Sequence, residues 1–357
     1  MKNKLYKLSW FFIFILSLNF IGCDDEKDPG EIPFVKRGVI VVNEGLWQQN
    51  NSSLTYYDLQ EQKAYQNVYS TANNGAALGE TANSIFIYEN KGYIAVTGSN
   101  KIEIINLEDF RSLGKVDLSY GGKNREPRHI VILNPFVGYA TCLGTNTVVK
   151  FNPSTKQTIK EILVGDKPEG IAYAKGKLFV CNSGYGMGNT VSVIDANKDS
   201  VISSIKVRYN PQYVLATADE NILVLSSADF RGTIPGAFFK INSQTLAITD
   251  SIEAGVYPIK PIAINSDEIL FININGVYKL KLSTKIVSKE PIVSAFRANP
   301  IFGAIYSIAF DSKENKLYVG NPKDFVQNGE ILIYSLQGDS LGVFNCGINP
   351  GTIAIKN

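Results

Sequence analysis

The sequence contains a single histidine in 357 residues. Metal sites and hydrolytic sites that need several histidines are therefore excluded. His129 itself lies in PRHIVIL, a segment that we predict to be a strand near the centre of the fold. We expect neither an enzyme nor a cofactor or metal. Four carboxylates on predicted loops leave a carboxylate-based lyase or hydrolase as an alternative. These are Glu44, Glu80, Glu126 and Asp229.

An excess of positive charge is also missing. The chain has 35 basic and 33 acidic residues, and its first 22 residues hold three of the lysines and no acid. Without that segment, 32 basic residues face 33 acidic ones, a formal charge of −1. The basic surface that nucleic-acid binding requires is absent, so no nucleic-acid partner is expected.

Cysteines are few, four in all. Cys142 and Cys181 fall at matching positions of consecutive repeats, a spacing too wide for a disulfide, and we interpret them as small buried apolar residues. Cys346 lies far along the chain, in a predicted loop. Cys23 is different, because it follows the small residue Gly22 at the end of an apolar segment.

A long apolar run occurs only near the N-terminus, where LSWFFIFILSLNFIG follows three lysines. It is shorter than the roughly 20 residues that span a bilayer. The run ends in Phe20-Ile21-Gly22-Cys23, which is similar to a bacterial lipobox. We predict a lipoprotein signal peptide over 1–22, then a lipidated Cys23 and flexible tether over 23–37. A plain secretory signal or an N-terminal membrane helix are the alternatives.

The lipid on Cys23 would be the protein's sole contact with a membrane. The acidic run Asp24, Asp25, Glu26 and Asp28 resembles the export signal of Gram-negative surface lipoproteins. In enteric bacteria, an Asp after the lipidated cysteine resembles a signal for inner-membrane retention instead. We favour the outer membrane, with the protein facing the cell exterior.

From Gly38 onward the sequence repeats itself. Short strand-like segments recur 41 to 49 residues apart, each followed by a second, a third and a weaker fourth. Four-stranded repeats of this length indicate propeller blades. We predict an all-β, seven-bladed β-propeller over 38–357, whose first blade is closed by the C-terminal strand. The innermost strands begin at Ala82, Pro127, Pro168, Pro211, Lys260, Ala304 and Pro350.

The predicted loops differ between the two ends of the ring. Those from a fourth strand to the next inner strand, and from a second to a third strand, share one end, which we call the long-loop face. They are long and rich in Asn, Gly and aromatics, as is typical of a binding surface, whereas the opposite face has short charged turns. Our candidate ligand-binding residues on the long-loop face are Trp47, Gln48, Asn50, Asn51, Tyr120, Arg125, Arg128, Asn182, Tyr185, Met187, Phe230, Arg231, Phe302 and Phe325.

This set of side chains indicates the chemistry of a ligand. Amides both donate and accept hydrogen bonds, and aromatic rings pack on apolar planes. A sugar fits this description. A corrinoid fits it as well, because its ring edge carries amides and its nucleotide tail carries a phosphate for an arginine.

The repeat VGDKPEGIAYAKGKLFVCNSG with TVSVIDANKDSVISSIKV resembles the YVTN or YncE-like propeller family over 38–357. VVNEGLWQQNNSSLTYYDL, LGETANSIFIYENKGYIAVTGSNKIEIINL and CGINPGTIAIKN resemble a subgroup of surface lipoproteins that includes the BtuG-type proteins. The resemblance implies capture of cobalamin (vitamin B12), as a ligand rather than a cofactor, and its transfer to a TonB-dependent outer-membrane transporter. The alternatives are a glycan-binding accessory lipoprotein and a protein-interaction or envelope module without a small ligand.

Overall fold

The structure is a computed structural model that describes residues 36–229 and 231–357. The described residues form seven antiparallel sheets, which confirms the predicted seven-bladed propeller. They contain no helix that is both long and apolar enough to cross a membrane. The predicted signal peptide, Cys23 and Phe230 lie outside the described residues.

Blades one to four take up the chain as far as Lys206. Their strands are β1 (Gly38–Asn43), β2 (Ser53–Asp58) and β3 (Lys63–Tyr65) of blade one; β4 (Ala82–Tyr88), β5 (Lys91–Val96), β6 (Lys101–Asn106) and β7 (Ser112–Asp117) of blade two; β8 (Pro127–Asn134), β9 (Val137–Cys142), β10 (Thr147–Asn152) and β11 (Gln157–Leu163) of blade three; and β12 (Pro168–Ala174), β13 (Lys177–Asn182), β14 (Thr190–Asp195) and β15 (Ser200–Lys206) of blade four.

Blades five to seven follow, and the last strand of the chain returns to blade one. The strands are β16 (Pro211–Ala216), β17 (Ile222–Ala228), β18 (Pro235–Ile241) and β19 (Ile248–Gly255) of blade five; β20 (Ile259–Ala263), β21 (Glu268–Asn273), β22 (Gly276–Lys281), β23 (Ile286–Val287) and β24 (Val293–Ser294) of blade six; β25 (Ser307–Asp311), β26 (Lys316–Asn321), β27 (Asn328–Tyr334) and β28 (Ser340–Ile348) of blade seven; and β29 (Pro350–Lys356) of blade one.

The ring is closed by strands from the two ends of the described chain. Strand β29 pairs antiparallel with β1, with Gly38 opposite Lys356 and Val41 opposite Ile353. Arg37, just before β1, forms an ion pair with Asp311 of blade seven and a second with Glu314 at 3.1 Å. Closure removes the unpaired strand edges that an open array of blades would present.

The apolar core lies between the blades. The second and third strands are rich in β-branched and aromatic residues that suit a pleated surface covered on both sides, and Ile40 and Tyr93 are at most 1% exposed. Among the described residues, the buried apolar side chains form seven clusters, one at each junction of neighbouring blades. Each blade is therefore stabilised by its two neighbours.

The inner strands share an unusual start. In six blades a residue with positive φ, between 47° and 59°, comes one or two positions before the strand. Within the first residues of the same six strands, pairing with the neighbouring strand shifts register. Such bulges change the direction in which side chains point. Here they turn side chains toward the ring axis. The positive-φ residues are Thr81, Glu126, Lys167, Asn210, Tyr257 and Asn349.

Hydroxyl groups on inner strands and on β9 tie neighbouring blades together at four junctions. Each donates a hydrogen bond to a backbone carbonyl of an inner strand in the next blade. The bonds run from Ser84 to Arg128 (2.6 Å), from Thr141 to Glu169 (2.7 Å), from Ser307 to Pro350 (2.5 Å) and from Thr352 to Asn83 (2.9 Å).

Two short helices, which the repeat pattern did not predict, lie in loops of the long-loop face. They are α1 (Val68–Ala72) and α2 (Ala295–Ala298). At the start of α2, the Ser294 side chain accepts a hydrogen bond from the Arg297 amide at 3.2 Å, as a helix cap does. Single turns of 3₁₀ helix occupy Tyr120–Gly122 and Gly184–Gly186.

Candidate functional site

The seven inner strands surround two connected spaces on the ring axis. The first, the apolar chamber, has a volume of about 220 Å³. The second, the polar chamber, measures about 120 Å³ and lies nearer the long-loop face, where the inner strands begin. The apolar chamber has walls of Ile85, Ile171, Val214, Ile308 and Ile353. The polar chamber is lined by Asn83, Arg128, His129, Glu169, Gln212, Tyr213 and Lys260.

An ion pair crosses the polar chamber. The Arg128 Nε donates to Glu169 Oε2 at 2.8 Å, and the two side chains are 25% and 9% exposed. Burial acts to lower the pKa of Arg128, but the carboxylates of Glu169 and Glu44 outweigh it and raise the pKa overall. The pair is therefore charged, although it lies inside the ring.

Lys260 and Tyr306 bring two further charged or polar contacts to the same region. Lys260 Nζ donates to the Gly351 carbonyl at 2.9 Å, and burial lowers the pKa of this lysine. The Tyr306 hydroxyl donates to Glu44 Oε2 at 2.7 Å. Burial, and then the Glu44 charge, raise the pKa of Tyr306. Glu44 is thus held at the mouth of the channel as a hydrogen-bond acceptor.

His129 lines both chambers. Burial, together with the nearby cations Arg128 and Lys260, lowers the pKa of His129 to about 3. The imidazole is therefore neutral at physiological pH and can both donate and accept a hydrogen bond. Within the described residues, no three His, Cys, Asp or Glu side chains come together as a metal site.

Tyr185 and Phe325 lie on loops of the long-loop face, between the second and third strands of their blades. Tyr185 is 58% exposed. Burial, and then the charges of Glu126 and Glu169, raise its pKa. The Phe325 ring meets Tyr306 edge-on, with ring centroids 5.8 Å apart. Since Tyr185 belongs to blade four and Phe325 to blade seven, they lie on opposite sides of the ring axis.

The loop that carries Trp47 is held in place by a carboxylate. Glu80 accepts hydrogen bonds from the Gln48 amide at 2.8 Å and the Asn50 amide at 2.6 Å. These bonds lower the pKa of Glu80 against the opposing effect of burial. The Asn51 side chain accepts a further loop amide at 2.8 Å. The loop is thereby fixed with Trp47 65% exposed, and Met187 on another loop is 73% exposed.

Arg125 lies inside its loop. Its side chain is 1% exposed, donates to the carbonyls of Leu118 and Tyr120 at 2.6 and 2.7 Å, and pairs with Glu161 at 2.7 Å. Its guanidinium carbon is 3.5 Å from the centroid of the Tyr120 ring. The Tyr120 hydroxyl also donates to Glu161, at 2.8 Å. Arg125 therefore shapes this loop from within and does not reach the surface.

The remaining candidates are scattered. Asn182 is 1% exposed, and its amide donates to the hydroxyls of Thr190 and Ser192 at 3.0 and 2.9 Å, a role inside the blade. Arg231 is exposed. Phe302 is 53% exposed beside a groove of about 450 Å³ at blade seven. Of the described members of the predicted set, Arg128 lines the polar chamber, and Tyr185 and Phe325 lie on long-loop-face loops of two different blades.

Sequence reasoning did not select seven residues at or beside the polar chamber. A positional signal existed for two of them, because Glu169 and Gln212, like the selected Arg128, each follow the proline that opens an inner strand. Register with these strands would have marked Tyr213 and Lys260 as well, one position further on. The unselected residues are Asn83, His129, Glu169, Gln212, Tyr213, Lys260 and Tyr306.

Solved structures share this architecture. A quinonprotein alcohol dehydrogenase-like protein from Bacteroides thetaiotaomicron is 17% identical, with a TM-score of 0.66 over 90% of this chain and 78% of that one. A functionally unknown protein from Desulfotomaculum acetoxidans is 15% identical, with a TM-score of 0.64 over 90% and 99% of the two chains. Virginiamycin B lyase from Staphylococcus aureus is 14% identical, with a TM-score of 0.54 over 75% and 84%. At such identities the similarity shows the fold alone.

No curated protein matches the sequence. A family model does match it, over residues 37–331, a range that begins just before β1 and ends inside blade seven. The match thus covers most of the propeller. The chain belongs to the family described as a domain of unknown function, DUF5074.

Proposed function

We propose that this protein captures a small molecule on its long-loop face, over the mouth of the axial channel, and that the molecule is a corrinoid. The observation that carries the proposal is that two exposed aromatic rings, Tyr185 and Phe325, lie on the long-loop face in blades on opposite sides of the ring axis, and that the polar chamber opens near the same face. Exposed apolar groups around a few convergent polar groups are typical of a ligand site.

A corrinoid suits each part of this surface. Its flat faces would pack on Tyr185 and Phe325, since aromatic rings contribute both apolar area and a preferred stacking geometry. Its amide groups would exchange hydrogen bonds with Asn83 and Gln212, which line the polar chamber. Its phosphate would find a cation in Arg128, which is 25% exposed.

The resemblance of the Trp47 loop to BtuG-type lipoproteins supports the same ligand, cobalamin. We extend the proposal to the cellular setting that the resemblance implies. The protein would be anchored by lipid on Cys23 at the outer membrane, facing the exterior, and would transfer its ligand to a TonB-dependent transporter. The lipobox-like residues Phe20 to Cys23 support the anchor.

Calorimetric titration with cyanocobalamin tests the ligand. We expect one-to-one binding that Tyr185→Ala and Phe325→Ala each weaken at least tenfold. Phe136→Ala is the matched control, because Phe136 is 63% exposed in a turn of the opposite face. The affinity of the Phe136→Ala variant for cyanocobalamin should equal that of the unaltered protein.

Other results would assign the face differently. No heat with cyanocobalamin but binding to a simple glycan would favour the accessory role in glycan capture. An absence of binding heat with both ligands would favour a protein-interaction module.

The anchor is tested separately from the ligand. Cys23→Ser should move the protein from the membrane fraction to the soluble fraction. Protease added to intact cells should digest the lipidated protein. Protection of the protein until the cells are lysed would contradict the exterior location.

A further inference from the structure

His129, Tyr213 and Lys260 separate the two chambers of the axial channel. They line both the polar and the apolar chamber. His129 comes from blade three, Tyr213 from blade five and Lys260 from blade six. The division between the chambers is therefore built from three separate inner strands.

The Lys260 ammonium lacks a contacting counter-ion. Its Nζ donates to one backbone carbonyl, that of Gly351, at 2.9 Å. Within residues 36–229 and 231–357, no carboxylate lies at ion-pair distance from it. An ammonium carries three donors, and a cation kept inside a protein without an ionic partner is unfavourable.

The nearest acids are engaged elsewhere. Glu169 accepts a hydrogen bond from Arg128 at 2.8 Å, and Glu44 accepts one from Tyr306 at 2.7 Å. Both carboxylates act on Lys260 electrostatically without contacting it. Lys260 thus has donor capacity beyond its bond to Gly351, and both chambers lie beside it.

The space beneath Lys260 is apolar. The hydroxyls on its walls, those of Ser84, Ser307 and Thr352, already donate to backbone carbonyls of the next blade. An apolar protein cavity of about 150 Å³ can hold a benzene molecule. The apolar chamber, at about 220 Å³, therefore has room for a compact ring or branched alkyl group.

We propose that the axial channel binds a small organic carboxylate, with its carboxylate on the Lys260 ammonium and its apolar body in the apolar chamber. Tyr213 and His129 line the same two chambers as Lys260, and their hydroxyl and imidazole groups can donate to the second carboxylate oxygen. This site lies deeper in the ring than the surface proposed for the corrinoid, borders the same polar chamber, and does not depend on that proposal.

Titration of the purified full chain with benzoate tests the site. We expect saturable binding that is at least tenfold weaker for benzamide, which keeps the ring and loses the charge. Lys260→Met, which preserves length and removes the ammonium, should weaken benzoate binding at least tenfold. Lys313→Met, an exposed lysine in a turn of the opposite face, should leave it unchanged.

Three results would overturn the proposal. They are an absence of benzoate binding, equal binding by Lys260→Met, and acetate binding as tight as that of benzoate, which would deny any role to the apolar chamber. If Lys260→Met does not fold, Lys260→Gln carries the same expectation. Tyr185→Ala should leave benzoate binding intact, so that failure of this site and failure of the surface site are distinguishable.

Discussion

The guanidinium of Arg128 and the carboxylate of Glu169 meet at 2.8 Å across the junction of blades three and four. Both residues occupy the second position of an inner strand, directly after a proline. Because each inner strand bulges at this point, neighbouring strands direct such residues toward one another at the axis. The charged centre of the ring thus follows from a repeated backbone irregularity.

Removing the charge of Glu169 should destabilise the protein. Glu169→Gln leaves Arg128 without its ionic partner in a largely enclosed position, and we expect a loss of about 1–2 kcal/mol in the free energy of unfolding. Urea denaturation measures it. Glu253→Gln is the control, since its pair with Arg208 is exposed and should contribute less than about 0.5 kcal/mol. Equal losses in both variants would contradict the assignment.

His129 should make stability depend on pH. Its pKa is about 3 in the folded protein and about 6.5 when unfolded, so the unfolded state binds the extra proton between these values. The contribution of His129 to the free energy of unfolding should therefore be fully present above pH 6.5. As this contribution is lost, the free energy of unfolding should fall by about 2 kcal/mol between pH 7 and pH 5.

Urea denaturation of the unaltered protein and of His129→Asn at both pH values isolates this contribution. His129 is the one histidine of the sequence, so the free energy of unfolding of His129→Asn should fall correspondingly less between the two pH values. An identical fall in the two proteins would assign the pH dependence to carboxylates instead.

Arg125 should matter for folding more than for ligand contact. Arg125→Ala removes three hydrogen bonds, leaves the carbonyls of Leu118 and Tyr120 without this donor and takes the buried cation away from Glu161, and we expect a loss of about 2–4 kcal/mol. Lys123→Ala is a matched control, because Lys123 contacts the same Glu161 at 3.3 Å but is 53% exposed. Thermal unfolding should show a larger loss of stability for Arg125→Ala than for Lys123→Ala. A small change for Arg125→Ala would mean that the loop is held by other contacts.

The last strand should be indispensable. A chain that ends at Asn349 lacks β29, which leaves β1 unpaired on its inner side and opens the junctions with blades seven and two. We expect it to lose cooperative thermal unfolding, as followed by circular dichroism. Removal of Asn357 alone, which lies beyond the strand, should have little effect. Cooperative melting of the shorter chain would show that six blades and an open sheet suffice.

The sequence alone predicts the ring well, because its turns are marked by proline and its strands by β-branched residues. Five inner strands begin at the predicted residue, for example Pro127 and Pro350. In blade seven the strand begins at Ser307 rather than Ala304, where no proline marks the start.

The site is predicted less completely, since it depends on contacts between distant repeats. Exposed aromatics on long loops, such as Tyr185, are recognisable from composition and position. The burial of Arg125 is not, because its partner Glu161 is 36 residues away on another strand. Register marks Lys260 as an inner-strand residue, but the sequence does not show that its ammonium lacks an acidic partner, because that depends on how the acids of other blades are engaged.

The pairing of β1 with β29 sets the order of events during synthesis. The first strand of the propeller cannot pair on its inner side until the ribosome has made β29, more than 300 residues later, since Gly38 pairs with Lys356. Contacts between such distant residues are slow to form, because a very long loop must close. Until then every nascent chain carries an open sheet, so a prematurely terminated product differs from the finished one in a way that chaperones and proteases can recognise.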